Sequence, residues 1–209
     1  MGFAGQTREL SRRIGVSQPL LYRYFPSKND LINEVFDAVF MKKWDPQWIR
    51  DLKDRTVPLR QRLIRFYTQY AASTYRPEWI RIYMFAGLAG MGLNRNYLEF
   101  VRKRLLLVVA EELRNTILPR SLRTKAPKVF AREFELVWNL HGSMFYWAVR
   151  RNIFNIKTPA PFDSRTADAV DIFLAGAAAV YPNLLRPSRA AKDRSDRSRG
   201  SAAEGRQAN

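Results

Sequence analysis

The chain has 209 residues, almost half of them apolar, and carries 36 lysines and arginines against 19 aspartates and glutamates, a formal net charge of +17. Such a charge favours a polyanionic partner, and the absence of cysteine excludes disulfides, thiol nucleophiles and thiolate metal sites. The longest uncharged apolar run, 172–181, is far shorter than the ~20 residues that cross a bilayer, and no secretory signal opens the chain. We therefore expect a cytoplasmic protein with no membrane partner.

Two short helices separated by a tight turn are predicted over residues 7–28, TRELSRRIGVSQPLLYRYFPSK. In the first helix, Leu10 and Ile14 are four residues apart and share a face. Gly15 is expected to end this helix, and Ser17 is expected to cap the second.

The second of these helices divides into two faces. Leu21 and Phe25 fall on one face and are expected to pack against the first helix. The residues expected on the opposite face are Gln18, Leu20, Arg23 and Tyr24. A buried seam that fixes the angle between two helices, with an outer face free to reach base edges, is what a helix-turn-helix requires.

The segments GF, TREL, GVSQPLLYRYF and PSK closely resemble the DNA-binding signature of TetR-family transcriptional regulators. The resemblance covers roughly the first thirty residues and implies an all-α protein, in which a helix-turn-helix head precedes a helical ligand-binding and dimerisation domain. The sequence departs from the family at Tyr24, where His is usual, and at residues 1–3, which form the turn that normally follows a first amphipathic helix. This first helix is apparently missing, and its absence would leave Leu10, Ile14 and Leu21 partly uncovered. A misplaced start and a truncated head that binds DNA poorly are both compatible with this beginning.

The side chains of the head suit contacts with DNA. Gln18 can make a bidentate contact with adenine, Pro19 or Leu20 can touch a thymine methyl, and the family position of Arg8 implies a further base contact. Arg23 suits either a base or a phosphate. The residues expected to hold phosphates, which fixes register without reading sequence, are Thr7, Tyr22, Tyr24 and Lys28. The alternative is a helical hairpin with a solvated basic face.

Apolar residues recur at helical spacing through the rest of the chain. A capping pair, Ser27 and Asp30, begins a third helix that is expected to connect the head to the body. Further helices are predicted over 56–75, from Pro77 to the glycines Gly87, Gly90 and Gly92, and over 97–117, 129–154 and 167–185. The glycines either terminate their helix or act as its hinge.

Three segments follow from this pattern. We predict a helix-turn-helix DNA-binding domain over residues 1–43, a helical regulatory and dimerisation domain over residues 44–186, and a basic tail over residues 187–209. The tail has almost no large apolar residue. Since it cannot offset its own ordering entropy, we expect it to be disordered.

The body helices are rich in aromatic residues, which either line an apolar cavity or form plain core. The lone histidine, His141, has no cysteine, second histidine or paired carboxylate near it, so neither a metal site nor a catalytic triad can be built on it. It is either a satisfied interior histidine or a polar group that orients a ligand. The candidates for contact with a ligand are Tyr67, Tyr70, Trp79, Tyr83, Trp138, His141 and Phe145. We expect no cofactor, no metal and no enzymatic activity.

The resemblance implies a sequence-specific transcriptional regulator, a repressor that binds a palindromic double-stranded operator as a homodimer. A small-molecule effector in the body would tilt the third helix and lower operator affinity. The last two helices, one aromatic and one rich in small residues, would suit a four-helix interface between subunits. The alternative is a dimeric ligand-binding protein with a truncated, DNA-binding-defective head. An enzyme that uses His141 with Glu133 or Glu135 has no support from spacing.

Overall fold

A computed structural model describes residues 7–123, 129 and 131–184, and this part of the chain contains helices and no strand. The head begins with α1 (Thr7–Ile14) and α2 (Gln18–Tyr24), and α3 (Lys28–Phe36) runs on through a π-helical turn, Asp37–Met41. The body consists of α4 (Gln47–Lys53), α5 (Leu59–Thr74), α6 (Pro77–Leu88), α7 (Leu93–Val101), a second π-helical turn (Arg102–Leu106), α8 (Leu107–Ile117), α9 (Arg120–Arg123), α10 (Ala131–Asn152) and α11 (Phe162–Leu184). The predicted tail lies outside the described residues.

The local signals of the head form as the sequence predicts. Gly15 ends α1 with a φ of +73°, a left-handed conformation that costs glycine little. The Ser17 hydroxyl accepts a hydrogen bond from the Leu20 amide and caps α2. Ser27 and Asp30 form a reciprocal capping box at the start of α3.

The core of the body is built around α5, which packs against α11, α4 and α8. The buried apolar residues of α5 are Leu59, Leu63, Phe66, Tyr67, Tyr70 and Ala71. They confirm the predicted helical stripe, although the helix begins three residues later than expected, because Pro58 precedes it in a non-helical conformation with ψ at 141°. Within the described ranges, no helix combines the length and apolar character needed to cross a bilayer.

Other helices also differ from the prediction. α4 was not predicted, because it is short, but it buries Trp48 and Leu52 on one face. α11 begins at Phe162 instead of residue 167, because the Phe162 ring packs 4.4 Å from that of Trp147 on α10 and so adds a first turn. The long helix predicted over 97–117 also begins earlier, at Leu93, and contains the second π-helical turn.

Buried charges hold the body helices to one another. Glu112 on α8 forms ion pairs with Arg62 of α5 and with Arg55, each at 2.8 Å. Arg62 also donates to the Leu52 carbonyl at the end of α4. A single carboxylate therefore fixes the positions of α4, α5 and α8.

The connection between α3 and the body is aromatic. Phe36 and Phe40 stack at 4.2 Å between ring centroids, with Phe40 on the π-helical turn. The Phe40 ring also lies 4.7 Å from Trp79 of α6 and 5.4 Å from Tyr97 of α7. Trp79 in turn stacks on Tyr83 at 5.0 Å. A displacement of the Trp79 ring would therefore displace Phe40, which lies on the π-helical extension of α3.

Candidate nucleic-acid interface and aromatic cluster

The two head helices are joined at one end by a small polar network. Gln18 at the start of α2 donates from Nε2 to Thr7 Oγ1 at 3.1 Å, and Thr7 Oγ1 lies 3.0 Å from the Tyr22 hydroxyl. Three residues predicted to contact DNA are thus placed side by side. The Gln18 amide retains its oxygen and one N–H, which are the groups that a bidentate contact with adenine uses.

The inner seam of the head is smaller than predicted. The turn folds α2 onto α1 and buries Leu21 together with Ser11, while Phe25 is half-buried. Leu10 and Ile14 remain 37% and 54% exposed, as expected if the seam lacks a cover. The expectation that Leu21 would also be uncovered was wrong, because the small Ser11 side chain allows α2 to approach closely and donates to its own helix at the Thr7 carbonyl.

The outer face of α2 is open to solvent. Gln18 is half-buried, like Lys28 at the start of α3. The predicted DNA-contact residues of α2 that are exposed are Pro19, Leu20, Tyr22, Arg23 and Tyr24. The division into an inner Leu21 face and an outer polar face therefore agrees with the sequence analysis.

The charges of the head are unevenly available. Glu9 forms ion pairs with both Arg12 at 2.8 Å and Arg13 at 2.9 Å, and their hydrogen bonds lower the pKa of the Glu9 carboxyl. The sequence analysis missed this pairing, although the spacing of three and four residues signals it. Within the described part of the chain, Arg8 and Arg23 have no ion-pair partner, so they are the arginines of the head that remain available to DNA.

The residues predicted to contact a ligand come together as one aromatic cluster. Around His141, the ring centroids of Tyr67, Tyr70 and Trp138 lie at 6.0, 5.7 and 5.3 Å. A second group joins Trp79, Tyr83 and Phe145, with the Tyr83 and Phe145 rings 5.3 Å apart.

Two tyrosines that the sequence analysis did not select complete the cluster. Tyr75, just after α5, joins the two groups because its ring lies 5.3 Å from Tyr70 and 5.8 Å from Trp79. Tyr97 shares a 2.5 Å hydrogen bond with the Tyr70 hydroxyl. Helical spacing could have found both, since Tyr75 follows Tyr67 by eight residues and Tyr97 precedes Val101 by four.

Four buried polar atoms of the aromatic cluster have no hydrogen-bond partner among the described residues: Tyr67 OH, Tyr75 OH, Trp79 Nε1 and His141 Nδ1. Burial raises the pKa of Tyr67 and lowers the pKa of His141 to about 4, so that both are neutral at pH 7. His141 is therefore interior, as expected, but not fully satisfied. The described residues contain no group of histidine, aspartate and glutamate that could hold a metal ion.

Comparison with known families gives one match. Residues 2–35 match the N-terminal domain of bacterial regulatory proteins of the tetR family, a segment that contains α1, α2 and most of α3. No curated protein and no solved structure matches the chain.

Proposed function

We propose that this DNA-binding transcriptional regulator of the tetR family is a homodimeric repressor acting in the cytoplasm, and that a small molecule bound in its body lowers its affinity for a palindromic operator. Residues 1–43 would form its DNA-binding domain and residues 44–186 its regulatory domain. The observation that carries the proposal is the pair of faces on α2. Leu21 is buried, whereas Leu20 and Arg23 are exposed beside a capped, tight turn.

Base reading is assigned to Arg8, Gln18, Pro19, Leu20 and Arg23 in this proposal. Gln18 and Arg23 offer the hydrogen-bonding groups that distinguish base pairs in the major groove. The residues proposed to hold phosphates are Thr7, Tyr22, Tyr24 and Lys28. The Thr7–Tyr22 hydrogen bond places two of them at one edge of the head.

The test is titration of the protein with the DNA upstream of its own gene and with a shuffled duplex of equal length, at several salt concentrations. Gln18→Ala and Arg23→Ala are expected to weaken operator binding by about 10-fold or more and to reduce the preference over shuffled DNA. Arg81→Ala removes the same charge from an exposed position on α6 and serves as the control. Equal affinity for both duplexes at every salt concentration would refute the proposal and favour a dimeric ligand-binding protein with a defective head.

Dimerisation is proposed through α10 and α11. The inner face of α11 is buried at Val170, Phe173, Ala177 and Tyr181. On the opposite face of α11, Ile172 is 75% exposed, and small residues occupy the same face one and two helical turns later. The small residues exposed on this outer face are Ala175, Gly176 and Ala179. A helix with apolar residues on two faces can pack into its own domain and against a second subunit at the same time.

Sedimentation of Ala179→Glu tests this interface, because a charge on the outer face of α11 would be desolvated on association. We expect a monomer with reduced operator affinity. Ala178→Glu introduces the same charge at an exposed position turned toward the flank of the helix and should remain dimeric. A dimer of undiminished affinity in Ala179→Glu would exclude this face.

Effector control is proposed to pass through the aromatic contact between Phe40 and the α6 rings. The ring centroids of Phe40 and Trp79 are 4.7 Å apart, and Phe40 lies on the π-helical turn that extends α3. A ligand that moves Trp79 or Tyr83 must therefore move Phe40 or open a cavity behind it, which is costly in a packed core. The movement would tilt α3 and change the spacing of the two heads. A tenfold change in operator affinity requires about 1.4 kcal/mol of coupling.

A further inference from the structure

The aromatic cluster contains more hydrogen-bonding capacity than its own residues use. Tyr67 OH and Tyr75 OH can donate or accept, Trp79 Nε1 can only donate, and neutral His141 Nδ1 can do either. Native proteins satisfy nearly all such buried groups. Four unsatisfied polar atoms within one cluster of contacting rings therefore indicate a binding site for another molecule.

Electrostatically the cluster is isolated from charge. Burial is the only influence on the pKa of Tyr67 and of His141. Burial is also the main reason that the pKa of Tyr75 is raised, and the phenols of Tyr70, Tyr67 and Tyr83 raise it further. No charged side chain is among the causes that shift the pKa of Tyr67, Tyr75 or His141, so a charged ligand beside these three groups would be desolvated without a counter-charge in the cluster.

One side of the cluster adjoins a cleft at Trp79, which is itself only 3% exposed. This residue lines a cleft of about 320 Å³ between the π-helical turn after α3 and the junction of α5 with α6. The charged side chains that line the cleft, Lys43, Arg76 and Glu78, are exposed. The Trp79 ring stacks on Tyr83 at 5.0 Å between centroids and meets Tyr75 edge-on at 5.8 Å, so the cleft adjoins the aromatic cluster directly.

We infer that the effector is an uncharged, planar aromatic molecule with hydrogen-bonding substituents, which enters past Trp79 and satisfies the free polar atoms of Tyr67, Tyr75 and His141. This inference rests on the proposed effector control and specifies the chemistry of that same site. Rings of the ligand would stack on the aromatic faces, and its polar groups would complete the hydrogen bonds that the fold leaves open. Entry past Trp79 would also disturb the ring on which Phe40 packs.

Matched probes test the inference by calorimetry and thermal shift on the full chain: 2-naphthamide, 2-naphthoate and naphthalene, with benzamide and benzoate as a smaller pair. We expect at least one amide to bind, its carboxylate to bind about 100-fold more weakly because the charge is desolvated without a partner, and naphthalene to bind several-fold more weakly than its amide.

Variants separate recognition from packing. Tyr67→Phe and His141→Phe should each weaken amide binding by roughly 3- to 10-fold while leaving the unliganded protein at least as stable at pH 7, since each removes an unsatisfied polar group. Tyr146→Phe, an exposed position on α10, should change neither property.

Several results would overturn the inference: a carboxylate that binds as tightly as its amide, naphthalene that binds as tightly as 2-naphthamide, or amide binding that survives both cluster substitutions. Failure of every probe to bind would overturn it too. If sequence-specific operator binding persists in that case, the assignment as a DNA-binding regulator stands, so the two failures can be told apart.

Discussion

Replacing Arg62 with Met should destabilise the body far more than replacing Arg55, although both arginines bind Glu112 at 2.8 Å. The two pairs differ in burial. The side chains of Arg62 and Glu112 are each 5% exposed, whereas that of Arg55 is 61% exposed. Burial raises the pKa of Glu112, but the hydrogen bonds from both arginines outweigh it and hold the pKa below its usual value.

The magnitude follows from what each substitution leaves behind. Arg62→Met leaves the buried Glu112 carboxylate with the exposed Arg55 as its ion-pair partner and leaves the Leu52 carbonyl without the Arg62 donor, so we expect a loss of about 3 kcal/mol in the free energy of unfolding. Arg55→Met removes an exposed partner and should cost at most about 1 kcal/mol. For a chain of this size, the larger loss corresponds to roughly 6–12 °C in Tm.

Urea denaturation followed by circular dichroism measures both variants. The double variant Arg62→Met with Glu112→Leu removes both buried charges and should recover most of the loss, because a buried pair is often no more stable than an apolar replacement. Equal costs for the two arginine variants, or a double variant less stable than Arg62→Met alone, would refute this account of the ion cluster.

Three further substitutions probe the head, the aromatic cluster and their connection. Ser17→Ala should cost about 1 kcal/mol of stability and weaken operator binding, both measurable by melting and DNA titration, because the Leu20 amide loses its cap; an unchanged melting curve would contradict the cap's importance. Burial lowers the pKa of His141 from 6.5 to about 4, so as pH falls the unfolded chain binds a proton at this residue before the folded chain does. The free energy of unfolding should therefore drop by about 2 kcal/mol between pH 7 and pH 5. Guanidinium titrations at both pH values should show that this drop is absent in His141→Phe. Phe40→Leu should reduce the effect of a bound effector on operator affinity, in paired DNA titrations with and without it; an undiminished effect would place the coupling elsewhere.

The head could be predicted closely because its signals are local. Gly15, Ser17 and the Ser27–Asp30 pair each act within four residues, and sequence order alone determines such contacts. The helical stripes of the body were also predictable, since burial repeats with the helical period.

The remaining features depend on distant contacts. The ion cluster joins Arg62 to Glu112 across 50 positions, and no local pattern announces that pairing. α11 starts at Phe162 because of a ring on another helix. Likewise, the hydrogen bond between the Tyr70 and Tyr97 hydroxyls joins positions 27 residues apart, so only the fold brings these two residues of the aromatic cluster together.

The π-helical turn at Asp37–Met41 connects α3 to the body, so it determines how an extra residue is accommodated between the outer face of α2 and the rest of the chain. A π turn accommodates one more residue than an α-helical turn, and each residue of an α-helix advances the chain by about 100°. The π turn therefore absorbs one extra residue within a full turn, whereas removing a residue from the regular part of α3 would swing the outer face of α2 around the helix axis by about 100°. That outer face would then point in a different direction relative to the body, although each of its side chains would still be present.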